Sequence, residues 1–143
     1  MSTSETPGYA GDITPEQAWE LLSTDPEAVL VDCRTAAEWR FVGAPDLSSL
    51  QRDIVSVEWV RTDGSRNDDF VEDLAKAGIA PGSRPVAFLC RSGNRSIASA
   101  IAATAAGIGP SYNILDGFEG DPDENGHRGA TGWKAVGLPW KQK

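Results

Sequence analysis

The segment FLCRSGNRSIASA, residues 88–100, sets one cysteine, Cys90, between a short apolar run and an alanine-rich stretch, with Arg91 and Arg95 close behind it. A thiol that only fills a core needs no such neighbours. A loop between a strand and a helix N-terminus presents backbone N–H groups that lack helical partners and can converge on a negative atom. Gly93 permits the tight curl this requires. Arg91 and Arg95 add positive charge, and Ser92, Asn94 and Ser96 add short hydrogen bonds. All of these favour thiolate over thiol; a free cysteine titrates at about 8.5, and sites of this kind lower that to roughly 3.5–7.5. The expected chemistry is attack by the Cys90 sulfur from within an anion-binding bowl, covalent catalysis with electrostatic activation and neither metal nor other cofactor.

Such a bowl needs a strand before it and a helix after it. Residues 84–90 read as a strand. Residues 96–107 read as a helix stopped at Gly107, apolar on nearly all sides and expected to be buried against a sheet. Upstream, Thr14 is the expected N-cap of a helix with Pro15 at its first position, Gln17 closing a capping box, and Ala18, Leu21 and Leu22 on one face. Residues 27–33 form a continuous apolar run suited to a buried parallel strand. A short helix is expected over 34–41, a loop with Gly43 and Pro45 over 42–53, and a second strand over 54–60. After a turn at Asp63 and Gly64 comes a helix capped by Asn67, with Asp68 and Asp69 in its first turn, an apolar stripe of Phe70, Leu74 and Ala77, and Gly78 at its end. Residues 111–115 read as a further strand.

This alternation predicts an α/β domain with a mainly parallel central sheet of four to five strands and helices on both faces. The 143 residues suit one domain: a flexible lead-in over 1–10, then a single domain over 11–143 whose Gly- and Pro-rich segment, 116–143, is anchored by Trp133 and Trp140. In such sheets ligands bind beyond the carboxyl ends of strands, where Cys90 and Asp32 both fall.

The net charge of −8 argues against a nucleic-acid partner and against docking on an anionic membrane. No run approaches the ~20 apolar residues of a membrane span. The start, MSTSETPGYAGD, lacks the basic and apolar regions of a secretory signal. The expected setting is a reducing cytoplasm in which Cys33 and Cys90 remain thiols, and the expected state is a monomer.

CRSGNRS, residues 90–96, resembles the active-site loop of rhodanese-type sulfurtransferases. LVDCRTAAEW, residues 30–39, resembles that family's Asp-x-Arg motif followed by Glu and an aromatic residue, and NILDGFEG, residues 113–120, the segment where its last strand enters a Gly-rich turn. The resemblance implies a rhodanese-like fold and a persulfide mechanism. Cys90 takes the outer sulfur of thiosulfate or a similar small anionic donor, sulfite leaves, and cyanide, a thiol or a sulfur-acceptor protein removes the sulfur. Backbone N–H groups of residues 91–96 would hold the terminal sulfur while Arg91 and Arg95 attract the donor. Asp32 would pair with Arg91 or Arg95, or else satisfy N–H groups at its strand end. Arg34 is assigned a supporting role, and Arg34 and Glu38, four apart, are expected as a surface helix pair worth ~0.3–0.5 kcal/mol. Phosphatases and arsenate reductases of this fold use C-x5-R around a tetrahedral oxyanion; C-x4-R here makes a tighter ring, suited to a single sulfur. Cys33, where the family often has a hydrophobic residue, is either a packing residue or a resolving thiol for a Cys90 persulfide.

Two weaker signals compete. DPDENG, residues 121–126, matches half of a calcium loop, but its twelfth position is Gly132 where a bidentate Glu is required, so an acidic turn is expected. His127, the only histidine, offers a Cys–His pair of the kind hydrolases use. Two function classes follow for the domain: a sulfurtransferase with turnover, or a sulfur-relay or protein-interaction module without it.

Overall fold

The computed structural model describes residues 8–141; residues 1–7 of the expected lead-in, and 142–143, lie outside the described residues. In chain order the elements are β1 (Gly11–Ile13), α1 (Pro15–Thr24), β2 (Val29–Asp32), α2 (Ala36–Phe41), β3 (Ala44–Pro45), a single 3-10 turn (Ser48–Leu50), β4 (Val55–Ser56), α3 (Phe70–Lys76), β5 (Gly82–Leu89), α4 (Asn94–Ala105), β6 (Ile108–Ile114) and β7 (Trp140–Lys141). Five strands form a parallel sheet in the order β1–β6–β5–β2–β4, and β3 pairs with β7 in a small antiparallel ribbon.

The two central strands carry no polar face because both sides are covered. Side chains alternate along a strand, so Val29, Val31 and Cys33 of β2 and its extension join Val86, Phe88 and Cys90 against Phe70 and Leu74 of α3 and Ala100 and Ala103 of α4. Ala28 and Leu30 join Ala87 and Leu89 on the other side, against Ala18 and Leu22 of α1 and the rings of Phe118 and Trp133. The expected parallel sheet with helices on both faces is therefore what the chain forms. α1 begins as read: Gln17 N–H donates to Thr14 Oγ1 (3.1 Å) and Thr14 N–H to Gln17 Oε1 (2.8 Å).

Several local expectations change, each for a tertiary reason. The strand expected over 54–60 joins the sheet only at Val55–Ser56, and Val60 forms an isolated antiparallel bridge with Arg66. Beyond it, the N–H groups of Val57 and Trp59 reach past the end of β2 to the carbonyls of Asp32 and Cys33. The loop expected over 42–53 contains β3, whose partner β7 lies at the far end of the chain. The N-cap position of α3 is Asp69 rather than Asn67, and the Asp69 side chain makes no capping bond. The Asn67 side chain instead closes the preceding turn, accepting from Asp69 N–H (3.1 Å) and donating to the Glu58 carbonyl (2.8 Å). Ala77 is exposed, and Ile79 takes its place in the core. α4 starts two residues earlier than read and has an outer face on which Ile101 is 40% exposed. Its inner face is all small residues, Ser96, Ser99, Ala100 and Ala103, which lets it lie close on the sheet. Trp133 is fully buried, its indole N–H donating to the Pro139 carbonyl (2.7 Å), whereas Trp140 stays partly exposed. Tyr9 packs against the core and Ala10 N–H donates to the Ser111 carbonyl (2.8 Å), so residues 9 and 10 of the expected lead-in are attached to the domain. Among the described residues, no helix is long and apolar enough to cross a membrane.

Candidate functional site

β5 ends at Leu89 and α4 begins at Asn94, so residues 90–93 are the whole connection. Gly93 adopts φ +114°, a conformation that favours glycine, and this turns its N–H back onto Cys90 Sγ at 3.1 Å. Ser96, in the first turn of α4, brings its Oγ to 3.2 Å from the same sulfur. The Cys90 side chain is buried and the thiol is free.

The proton inventory around Ser96 is tight. Its Oγ also donates to Asn113 Oδ1 on β6, while Asn113 Nδ2 donates to Asp12 Oδ1 (3.0 Å), which accepts from Tyr9 as well (2.8 Å). The carboxylate of Asp12 fixes which end of the Asn113 amide faces Ser96. A serine hydroxyl has one proton. While it serves Asn113, Ser96 accepts from the Cys90 S–H; to stabilise a Cys90 thiolate the hydroxyl must turn to the sulfur. Ser96→Ala removes that donor. A hydrogen bond to a charged group is worth about 1.5–3 kcal/mol, so alkylation of Cys90 by iodoacetamide at fixed pH is expected to slow by about 10- to 100-fold. An unchanged alkylation rate in a normally folded variant would remove Ser96 from the site.

The segment after β6 braces the loop from the opposite side. Phe118 N–H donates to the Cys90 carbonyl (2.8 Å), and Glu119 and Gly120 N–H donate to the Arg91 carbonyl (2.9 and 3.1 Å). Gly117 sits so close that a Cβ there would overlap the Cys90 carbonyl oxygen.

The two loop arginines, expected to act together, are separated. Arg91 is exposed. Arg95 folds onto Glu38 of α2 in a two-pronged ion pair, Nη1–Oε1 2.7 Å and Nη2–Oε2 3.0 Å. Glu38 Oε1 also accepts from the backbone N–H and hydroxyl of Thr35, completing a capping box for α2. Glu38 is thus the partner of Arg95, not of Arg34 as its spacing implied. Burial alone would raise the Glu38 carboxyl, but the bonds from Arg95 and Thr35 outweigh it and hold the pKa down to about 2. The same bond to Glu38 raises Arg95. A depressed carboxylate stabilises the fold fully above its unfolded value of 4.5, and that contribution drains as pH falls toward 2. Wild-type melting temperature is therefore expected to fall more steeply than that of Glu38→Gln across this window, with the two curves parallel above it.

Asp32 pairs with neither loop arginine, and Arg34 is not on the surface. Both side chains are fully buried and bond to each other: Arg34 Nε to Asp32 Oδ1 at 2.9 Å and Nη2 to Oδ2 at 2.6 Å. Arg34 Nη2 also donates to the Gly43 carbonyl (2.7 Å), and its guanidinium lies 4.3 Å from the centre of the Phe118 ring. The reason is local: Arg34 leaves the end of β2 and folds back, satisfying the carboxylate before any arginine from the next strand can reach it. The pair supports the site indirectly, through Phe118, whose N–H holds the Cys90 carbonyl.

Ser92 is half-buried and Asn94 exposed. Cys90 has Gly93 and Ser96 as its sulfur's partners, not His127. Residues 121–127 form an acidic turn in which Asp123 Oδ1 accepts the N–H groups of Asn125 and His127 (both 2.9 Å). Sequence reading gave Glu38 the wrong partner and missed Asp12 and Asn113 as supports of the site. Glu38 was legible, since Thr35-x-x-Glu38 has the spacing of a capping box; Asp12 and Asn113 give no local signal.

Comparison with known proteins agrees with this architecture. The chain is similar to Rv0390 from M. tuberculosis, a solved structure, at 64% identity and TM-score 0.87, covering 94% of this chain and 99% of that one. It shares its fold with the polysulfide-sulfur transferase homodimer of Wolinella succinogenes (22% identity, TM-score 0.62, 92% of this chain and 78% of that one). An uncharacterised protein of Rickettsia conorii is 34% identical over 130 residues, 91% of this chain and 96% of that protein. The chloroplastic thylakoid rhodanese-like protein of Oryza sativa subsp. indica is 28% identical over 130 residues, which span 91% of this chain but only 25% of that protein. The family described as the STR4 middle domain matches residues 10–143, almost the full length, and the chain belongs to this rhodanese-like family.

Proposed function

We propose that the protein is a sulfurtransferase that carries sulfane sulfur on Cys90. The Cys90 thiolate attacks the outer sulfur of thiosulfate or a similar small anionic donor. The donor's S–S bond breaks, sulfite leaves with the electron pair, and Cys90 retains a persulfide. Cyanide or a thiol then attacks the terminal sulfur and the thiolate returns. The carrying observation is the Gly93 N–H aimed at Cys90 Sγ at the mouth of α4. The first N–H groups of a helix are open to an anion, and in this reading those at the start of α4 hold the terminal sulfur. Exposed Arg91 supplies positive charge for an incoming anion; sulfite is a good leaving group, so no general acid and no cofactor are required. Arg95 is committed to Glu38 and cannot offer its fork to a phosphate, which argues against phosphoryl chemistry. We place the reaction in a reducing compartment such as the cytoplasm, with the chain acting as a monomer.

A relay reading, in which a sulfur-acceptor protein unloads Cys90 and small-molecule turnover is low, is favoured by two observations: the thiol is 1% exposed and Arg95 is neutralised. Thiosulfate with cyanide separates the two. Multiple turnovers to thiocyanate support the enzyme, whereas one equivalent of persulfide detected by mass with negligible thiocyanate supports the relay. Neither product would sink both.

A further inference from the structure

Cys33 and Cys90 lie far apart in sequence, yet the sheet sets them side by side. β2 and β5 run in parallel register with Asp32 opposite Leu89, and the next step along both strands is Cys33 beside Cys90. The ladder continues through that step: Cys33 N–H donates to the Leu89 carbonyl at 2.9 Å. Alternation places both side chains on the α4 side, in one cluster. Neighbouring strands are about 4.8 Å apart, within the Cα separation of roughly 4.4–6.8 Å that a disulfide spans. The Cys33 thiol leans toward β5, donating to the Leu89 carbonyl at 3.3 Å, and both cysteines are free.

We infer that Cys33 is a resolving thiol, which attacks the Cys90 persulfide to form a Cys33–Cys90 disulfide and release the sulfane sulfur as sulfide. The inference rests on the persulfide reading above. Cys33 gives up its proton and its sulfur bonds to Cys90 Sγ. The bond from Cys90 Sγ to the terminal sulfur breaks, and the electron pair leaves with that sulfur as hydrosulfide. The sulfane sulfur is reduced, and the two cysteine sulfurs are oxidised. A dithiol from solution then reduces the disulfide and restores both thiols. With thiosulfate as donor the sum is thiosulfate plus dithiol giving sulfite, hydrogen sulfide and the oxidised dithiol.

The surroundings set the timing of this route. Burial raises the Cys33 thiol pKa well above its ordinary value, and negative charge on Cys90 raises it further, while Ser99 lowers it. In the persulfide that charge moves out to the terminal sulfur, away from Cys33. Resolution is therefore slow near neutrality, faster as pH rises, and outrun by an external acceptor when one is present.

The test uses wild-type, Cys33→Ser and Cys33→Ala chains, treated with thiosulfate, freed of excess, and held without acceptor while mass and released sulfide are followed. In the wild type, a mass gain of one sulfur should give way to a loss of two hydrogens relative to the reduced chain, with one equivalent of sulfide. In the variants the sulfur adduct should persist about tenfold longer or more. A persulfide equally long-lived in all three overturns the inference and leaves the sulfurtransferase reading intact. If no persulfide forms in any chain, that reading fails instead, and one equivalent of hydrogen peroxide replaces thiosulfate. Peroxide makes a Cys90 sulfenic acid, from which Cys33 would expel water. A Cys33–Cys90 disulfide mapped in the wild type, which needs no variant to fold, supports the resolving role. A sulfenic acid that stays trappable by dimedone in the wild type overturns it.

Discussion

Cys90→Ser is expected to abolish both persulfide formation and thiocyanate production, a loss of about four orders of magnitude or more, down to the uncatalysed background. Sulfur transfer needs a nucleophile that is anionic near neutral pH and whose bond to a second sulfur can be made and broken. A serine hydroxyl meets neither condition, although it fits the space and can accept the Gly93 N–H. The substitution removes chemistry while leaving the loop's hydrogen bonds to the Phe118 and Glu119 N–H groups in place, because those are made by the carbonyls of residues 90 and 91. The fold of the variant should therefore be intact by circular dichroism and thermal melt. Thiocyanate production that survives in this variant would remove Cys90 from the mechanism. A variant that loses activity together with its fold would need the comparison repeated with Cys90→Ala before anything followed.

Asp32→Ala is expected to have the largest effect on stability. Asp32 and Arg34 are both fully buried, and the carboxylate accepts from the guanidinium and from the Arg34 backbone N–H. Removing the carboxylate leaves a guanidinium uncompensated in the core, at a cost of about 3–5 kcal/mol, a large part of the ~5–15 kcal/mol typical of a domain. Urea denaturation should show the midpoint falling in proportion. The pair itself need not stabilise relative to apolar residues, so Asp32→Ala combined with Arg34→Met should recover most of the loss, a coupling that a double-mutant cycle reads directly. A single substitution costing under about 1 kcal/mol would show that the pair does not hold this end of β2. Sulfur transfer should suffer along with stability, because Arg34 supports the Phe118 ring and Phe118 N–H holds the Cys90 carbonyl.

These two residues mark how far sequence reading reaches. Cys90 was legible because its setting is local. A strand, a glycine with positive φ and a helix N-terminus follow one another within a dozen residues, and each has its own sequence signature. The same holds for α1, whose capping box is written in Thr14, Pro15 and Gln17, and for the parallel sheet, whose central strands are apolar on both faces. Asp32 and Arg34 were found as residues but given the wrong partners. Spacing along a helix suggested Arg34 with Glu38, and nearness to the loop suggested Asp32 with Arg91 or Arg95. Which cation reaches which carboxylate depends on how the chain turns after β2, and α2 begins only at Ala36, so Arg34 and Glu38 do not share a helix. The edge elements were hardest to read. β4 pairs at two residues only, and β3 depends on β7 at the far end of the chain.

The sequence by itself determined the α/β alternation and the strand, loop and helix N-terminus around Cys90, since periodicity, capping and turn chemistry act over a few residues. Only the tertiary structure decided the company that loop keeps. Glu38 takes Arg95, Asn113 and Asp12 orient Ser96, and the register of β2 against β5 lays Cys33 beside Cys90. Each of these contacts joins residues on different elements, and such contacts are settled by strand register and helix docking, which no local pattern encodes.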